Sequence, residues 1–150
     1  MYKRILVPLD GSELAERALP HAAEIARCMG SQLWLVRVSL YQGYALNPTW
    51  DGPHYSEEKL EADRKAAVDY LAVARHQCNA HALPGQNEVL IGPVAETLID
   101  YALAKNVDLI VMSTHGRSGL SRWVMGSVTD KVVRGAHCPT LIIRGPATDD

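Results

Sequence analysis

No apolar run in this 150-residue chain is long enough to cross a bilayer. The longest stretch free of Asp, Glu, Lys and Arg runs from Val38 to Trp50 and is broken by Gly43, Asn47 and Pro48. A spanning helix needs about 20 apolar residues, so no membrane residence is expected. A secretory leader is not expected either, because the apolar run after Lys3 and Arg4 ends at Asp10. Cysteine is scarce. Cys28, Cys78 and Cys138 are odd in number and form no C-x-x-C pair, which points to a reduced, cytoplasmic setting. Basic charge is not in excess: 15 Lys and Arg stand against 17 Asp and Glu, a net charge of −2. Without a broad positive field, no nucleic-acid partner is expected. Several catalytic signatures are also missing. There is no G-x-x-x-x-G-K-S/T loop, no G-x-S-x-G elbow and no pair of carboxylates patterned for acid–base work. Binding is therefore better supported than turnover.

What is present is an ordinary globular balance, 47% apolar and 21% charged, in a length that suits one domain over residues 1–150. Short apolar runs alternate with stretches of helical period. Arg4 to Leu9 reads as a buried strand stopped by Asp10-Gly11-Ser12. Ser12 is a suitable N-cap for a helix whose apolar stripe runs from Leu14 to Met29 and stops at Gly30. Pro20 lies inside that stripe, so a bend is expected there. Gln32 to Val38 reads as a second strand, and Ser39 to Tyr55 as a long connection. From Ser56 a charged helix carries Leu60, Ala67, Leu71 and Ala74 on one face. Asn87 to Ile91 is a third strand, followed by a helical stripe from Val94 to Leu103. Leu109 to Met112 is a fourth strand, and a Gly- and Ser-rich stretch leads to a helix through Val128, Val132 and Val133. Pro139 to Ile143 closes the series as a fifth strand.

Repeated strand–helix alternation means parallel βαβ units, and nearly all-apolar strands mean a sheet covered on both faces. The expected fold is a doubly wound, Rossmann-like α/β sandwich around a five-stranded parallel sheet ordered 3-2-1-4-5. Such sheets bind ligands outside the carboxyl ends of their strands, where strand order reverses. That places the Pro8-Leu9-Asp10-Gly11-Ser12 turn opposite the loop from Ser113 to Ser127. The glycines of that loop permit close backbone approach, and Gly126-Ser127 precedes a helix whose amides and dipole favour an anion. Ser127 and Thr129 could add hydroxyls, and Arg117 and Arg122 could add charge or only solvate the loop.

Here the chain resembles the universal stress protein family. The family signature reads G-x-x-G, nine residues, then G-S or G-T. Gly116, the nine residues from Arg117 to Met125, and Gly126-Ser127 match its last three positions, and Ser113 stands in place of its first glycine. The opening Ile5 to Ser12 is similar to the family's first strand and turn. The resemblance implies an adenine-nucleotide site. It places Asp10, with Pro8 and Leu9, beside the adenosine, and the backbone of Val38 beside the adenine. Met112, Ser113, His115 and Gly116 fall at ribose and phosphate, and Gly126, Ser127, Val128 and Thr129 on the phosphate-binding turn. The implied ligand is ATP, with or without Mg2+. The resemblance also implies a homodimer that pairs last strands, which would cover the apolar edge Leu141-Ile142-Ile143.

Blander roles compete with these. Asp10 suits a turn, His115 loop packing, and Ser127 the N-cap of the last helix. His76, Cys78 and His81 form an H-x-C-x-x-H cluster whose spacing matches no standard zinc site, so no metal is expected. Tyr41, Tyr44, Trp50 and Tyr55 could stack on a base or merely fasten a loop. The expected function is a regulatory adenine-nucleotide binder. The alternatives are a nucleotide-free dimeric interaction module of the same fold, or a slow ATP hydrolase or phosphotransferase.

Overall fold

A computed structural model describes residues 1–39, 56–114 and 125–145. The strands are β1 (Arg4–Pro8), β2 (Gln32–Ser39), β3 (Asn87–Ile91), β4 (Leu109–Ser113) and β5 (Thr140–Ile143). The helices are α1 (Glu13–Glu16), α2 (Ala18–Met29), α3 (Glu57–Gln77), α4 (Val94–Ala104) and α5 (Ser127–Gly135), with a short 3₁₀ turn at Ala80–Ala82. The strands form one parallel five-stranded sheet in the order β3-β2-β1-β4-β5. This is the expected architecture.

Alternate residues of each central strand feed opposite faces of the sheet. Ile5, Val7, Leu33, Leu35 and Val111 are buried under α1, α2 and α3, where Ala18, Ala22 and Ala26 let α2 approach closely. Leu6, Trp34, Val36, Ile110 and Met112 are buried under α4 and α5, against Leu98, Ala102 and Val132. Fully burying one such aliphatic side chain contributes about 1.5–3 kcal/mol, so these two layers carry most of the drive to fold. The outer strands are less enclosed: β3 is mostly half-buried, and Leu141 of β5 is 38% exposed.

The first helical stripe divides. α1 ends at Glu16, Arg17 forms a turn, and α2 begins at Ala18. The break lies ahead of Pro20 rather than at it. A proline clashes with the carbonyl four residues earlier, here Glu16, and has no N–H to bond it. Once the helix restarts at Ala18, Pro20 sits in a first turn where no donor is required. Gly30 then closes α2 in the left-handed conformation at φ 66°.

The expectation that Ser127 caps the last helix is corrected. Gly126 is the N-cap of α5 and Ser127 is its first helical residue. Gly126 supplies the extended backbone (φ −54°, ψ 146°) and no capping side chain, which leaves the first amides of α5 without a side-chain acceptor.

Candidate functional site

β1 and β4 are neighbours, and their pairing register covers Ile5 with Leu109 and Leu6 with Ile110. β1 continues to Pro8 and β4 to Ser113, and at these carboxyl ends a cleft of about 580 Å³ opens. Strand order reverses at this point, since β2 and β3 lie on one side of β1 and β4 and β5 on the other. The cleft is lined by Pro8, Leu9 and Asp10 from the end of β1, by Val38 from β2, and by Met112 and Ser113 from β4. Gly126, Ser127, Val128 and Thr129 line it from the start of α5. All ten of these residues were singled out from the sequence, and the fold brings them together. His115 and Gly116 lie outside the described residues, as do Arg117, Arg122, Tyr41, Tyr44, Trp50 and Tyr55.

Each wall has a local cause. Asp10 is held by an Asx turn: its Oδ1 accepts from the backbone N–H of Ser12 at 2.9 Å and from Ser12 Oγ at 2.6 Å. Ser12 Oγ in turn accepts from the Ala15 amide at 3.1 Å and so caps α1. Gly11, at φ 88°, supplies the left-handed step between them. Removing the hydroxyl in Ser12→Ala therefore deletes a cap and an anchor for Asp10 together. We expect a loss of about 0.5–2 kcal/mol, read from urea unfolding midpoints. An unchanged midpoint would show that the turn holds without it.

Across the cleft, the N–H of Gly126 donates to the Thr114 carbonyl at 2.9 Å, and Thr129 Oγ1 donates to the Ser113 carbonyl at 3.0 Å. These two bonds clamp the start of α5 to the end of β4. They also correct one sequence reading. The Thr129 hydroxyl proton and the Gly126 amide are already committed, so neither is available to donate to an anion. Among the described residues the amides of Ser127, Val128 and Thr129 have no backbone acceptor, because the first helical bond of α5 runs from Asp130 N to Gly126 O. Together with the positive end of the helix dipole they make an anion-favouring wall. Ser113, at the position of the family's first glycine, is 8% exposed and lies in the strand rather than at a left-handed turn.

The structure adds residues that the sequence reading passed over. Arg37, Ser39, Asp63, Ala66 and Ala67 also line the cleft. The Arg37 guanidinium carbon lies 5.1 Å from the centre of the Tyr70 ring, and Tyr70 OH donates to Glu16 Oε1 at 3.0 Å. Burial, then the Glu16 hydrogen bond and charge, push the Tyr70 phenol well above its ordinary range, so it stays a proton donor. A signal for Arg37 was available: it is the one charge in the β2 sequence Gln-Leu-Trp-Leu-Val-Arg-Val-Ser, next to the strand's carboxyl end. Asp63, Ala66 and Ala67 lie within the long polar helix α3 and carry no motif.

His76 and His81 are not arranged around an ion. Their rings stack at 5.2 Å with 22° between planes, and among the described residues no group of three His, Cys, Asp or Glu is placed to hold a metal. Among the described residues, no helix is long and apolar enough to cross a membrane.

A doubly wound parallel sheet with its cleft at the strand-order reversal defines a Rossmann-like α/β protein. The model of the universal stress protein family matches residues 1–144. The chain belongs to that family. It is 32% identical over 149 residues to a universal stress protein of Methanocaldococcus jannaschii, covering 97% of this chain and 84% of the relative. Among solved structures, the universal stress protein UspA from Lactobacillus plantarum superposes with a TM-score of 0.76 at 28% identity, covering 95% of this chain and 98% of that one. A universal stress protein in complex with cAMP superposes with a TM-score of 0.72 at 21% identity over 95% of this chain. The Archaeoglobus fulgidus protein in complex with dAMP gives 0.63 at 22% identity, covering 94% of this chain and 97% of that one.

Proposed function

We infer that the cleft binds an adenine nucleotide, ATP with or without Mg2+, as a regulatory ligand in a cytoplasmic homodimer. The observation that carries this reading is convergence. Residues far apart in sequence, Asp10 at the end of β1 and Gly126 to Thr129 at the start of α5, face one cleft at the point where strand order reverses. The phosphates go to the amides of Ser127, Val128 and Thr129, where each charge–dipole contact contributes roughly 0.3–1 kcal/mol, and up to about 2 when partly buried. The nucleoside goes to the less polar side formed by Pro8, Leu9, Val38 and Met112, with Asp10 as a hydrogen-bond acceptor. Complexes of related proteins with cAMP and dAMP support an adenine ligand. Dimerisation through Leu141, Ile142 and Ile143 would cover an outer strand whose Leu141 is 38% exposed.

The residues of the cleft favour holding a nucleotide over cleaving it. Asp10 and Asp63 are the only carboxylates among the described lining residues, and no histidine is among them. Calorimetric titration with Mg-ATP tests the reading: saturable binding is expected, and no binding up to millimolar nucleotide overturns it. Sedimentation of the same sample tests the dimer, and a monomer at micromolar concentration would reject it.

A further inference from the structure

The cleft has two sides of different chemistry. At one stands the start of α5, with three amides that have no acceptor among the described residues. At the other stands β2, separated from β4 by β1. Two strand spacings of about 4.8 Å put the ends of β2 and β4 about 10 Å apart in the sheet. The two sides also belong to opposite faces: α5 covers the face of Val36, and α3 the face of Leu35. Arg37 follows that alternation onto the α3 face, where Ala15, Ala66 and Ala67 line the cleft beside it. Small side chains there leave a gap between strand and helix instead of filling it.

Within this gap Arg37 is the one basic residue among the described lining residues, and none of the ion pairs among the described residues involves it. Its aromatic partner is the Tyr70 ring at 5.1 Å, which Glu16 fixes from behind. A guanidinium has two flat faces and five N–H donors. With the ring close to it and the cleft open beside it, its donors are set for a planar heterocycle bearing nitrogen acceptors. A phosphate held by α5 is on the wrong side of β1 to reach it.

The geometry points to Arg37 as a specificity-determining residue that contacts the purine base, by stacking or by donating to ring nitrogens, with Tyr70 and Glu16 as its positioning residues. This rests on the adenine-nucleotide reading above. It explains a charge in a strand that carries no other, and why the tyrosine beside that charge is tied to α1. Asp63, across the same gap on α3, is placed to accept from an exocyclic amino group.

The test separates base contact from contact with the terminal phosphates and from folding. AMP and ATP share the base and differ only in phosphates, so a lost base contact weakens both by the same factor. For Arg37→Met we expect both affinities to fall together by about fivefold to twentyfold, with the ATP-to-AMP ratio unchanged and the melting temperature without nucleotide unchanged. Arg37→Lys, which keeps the charge and stem but loses the flat fork, should lose affinity for both in the same direction. Unchanged affinities in Arg37→Met, or full affinity in Arg37→Lys, overturn the proposal. A loss confined to ATP also overturns it, because the guanidinium would then read terminal phosphates. A parallel loss with a matching fall in melting temperature in both variants assigns Arg37 to the fold and overturns it as well. These outcomes leave wild-type nucleotide binding intact. A wild type that binds neither nucleotide overturns the underlying reading and this proposal together.

Discussion

Gly126→Asp is expected to abolish most nucleotide binding while leaving the unliganded protein as stable as before, or slightly more so. The two effects have one cause. Gly126 sits at the N-cap of α5 with φ −54° and ψ 146°, a conformation open to any residue, so the substitution brings no backbone strain. Aspartate is among the best N-cap residues, and its carboxylate accepts from the amides two or three residues on, here Val128 and Thr129. A gain of a few tenths of a kcal/mol over glycine follows. Those amides are the ones assigned to the phosphates. The carboxylate occupies them and adds a like charge about 4 Å from where a phosphate must sit, a repulsion of roughly 4 kcal/mol at the dielectric typical of such sites. Even after heavy screening, affinity should fall at least about a hundredfold. Calorimetry and thermal melting on one sample read both quantities. Unimpaired binding would remove the phosphates from α5, and a large loss of stability would mean that Gly126 is needed for some reason other than capping.

That divergence between stability and binding shows how the sequence relates to the site. The elements were legible because the relevant physics is local, and the sheet order because repeated βαβ units admit few arrangements. Asn87 to Ile91 is a strand of the expected extent, and α3 is capped by Ser56, whose side chain accepts from the Lys59 amide. The cleft's β1, β4 and α5 walls were legible because turn chemistry and glycine spacing mark them in the chain. Two kinds of feature were not. Ser127 looked like a cap because serine favours that role, but the chain enters α5 one residue earlier, a shift set by the bond from Gly126 N to Thr114 O. That bond joins β4 to α5 across residues whose sequence gives no measure of the distance. The β2–α3 side of the cleft was illegible for a different reason. Asp63, Ala66 and Ala67 reach it only because α3 lies over β2, and the hydrophobic stripe of a long polar helix fixes its buried face without naming which turn meets which strand. Arg37 alone left a trace, as a charge out of place.

The placement of α3 over β2 depends on a second arginine, and Arg75→Leu is expected to destabilise the protein by about 1.5–3 kcal/mol. Arg75 lies near the end of α3, half-buried, and burial pulls its guanidinium below the ordinary range. It is surrounded by acceptors. Nε donates to Asn87 Oδ1 at 2.7 Å, Nη1 to the Ala80 carbonyl at 3.3 Å and the Leu83 carbonyl at 3.5 Å, and Nη2 to the Leu33 and Gln86 carbonyls. One planar fork thus joins the end of α3, the 3₁₀ turn, the entry to β3 and the start of β2. The backbone here is already close: Leu33 N donates to the Pro84 carbonyl and Leu35 N to the Gln86 carbonyl, and a Cβ on Gly85 would stand 1.9 Å from the Leu33 oxygen. Leucine fills a similar volume but removes the fork's donors from the carbonyls of Leu33, which is fully buried, and Leu83, while the Ala80 and Gln86 carbonyls keep the amides of Leu83 and Leu35. Lysine keeps the charge but cannot span acceptors arranged around a flat fork, so Arg75→Lys should recover less than half of the loss. Urea unfolding with an unchanged slope would report the difference directly. A loss below about 1 kcal/mol for leucine would place these bonds among ordinary surface contacts. Full recovery by lysine would show that charge, rather than the shape of the fork, holds the helix to the strand. The Leu33 carbonyl held by Arg75 belongs to the strand that carries Arg37 and Val38 into the cleft. A variant that survives in dilute buffer should therefore also bind nucleotide more weakly, with AMP and ATP affected alike.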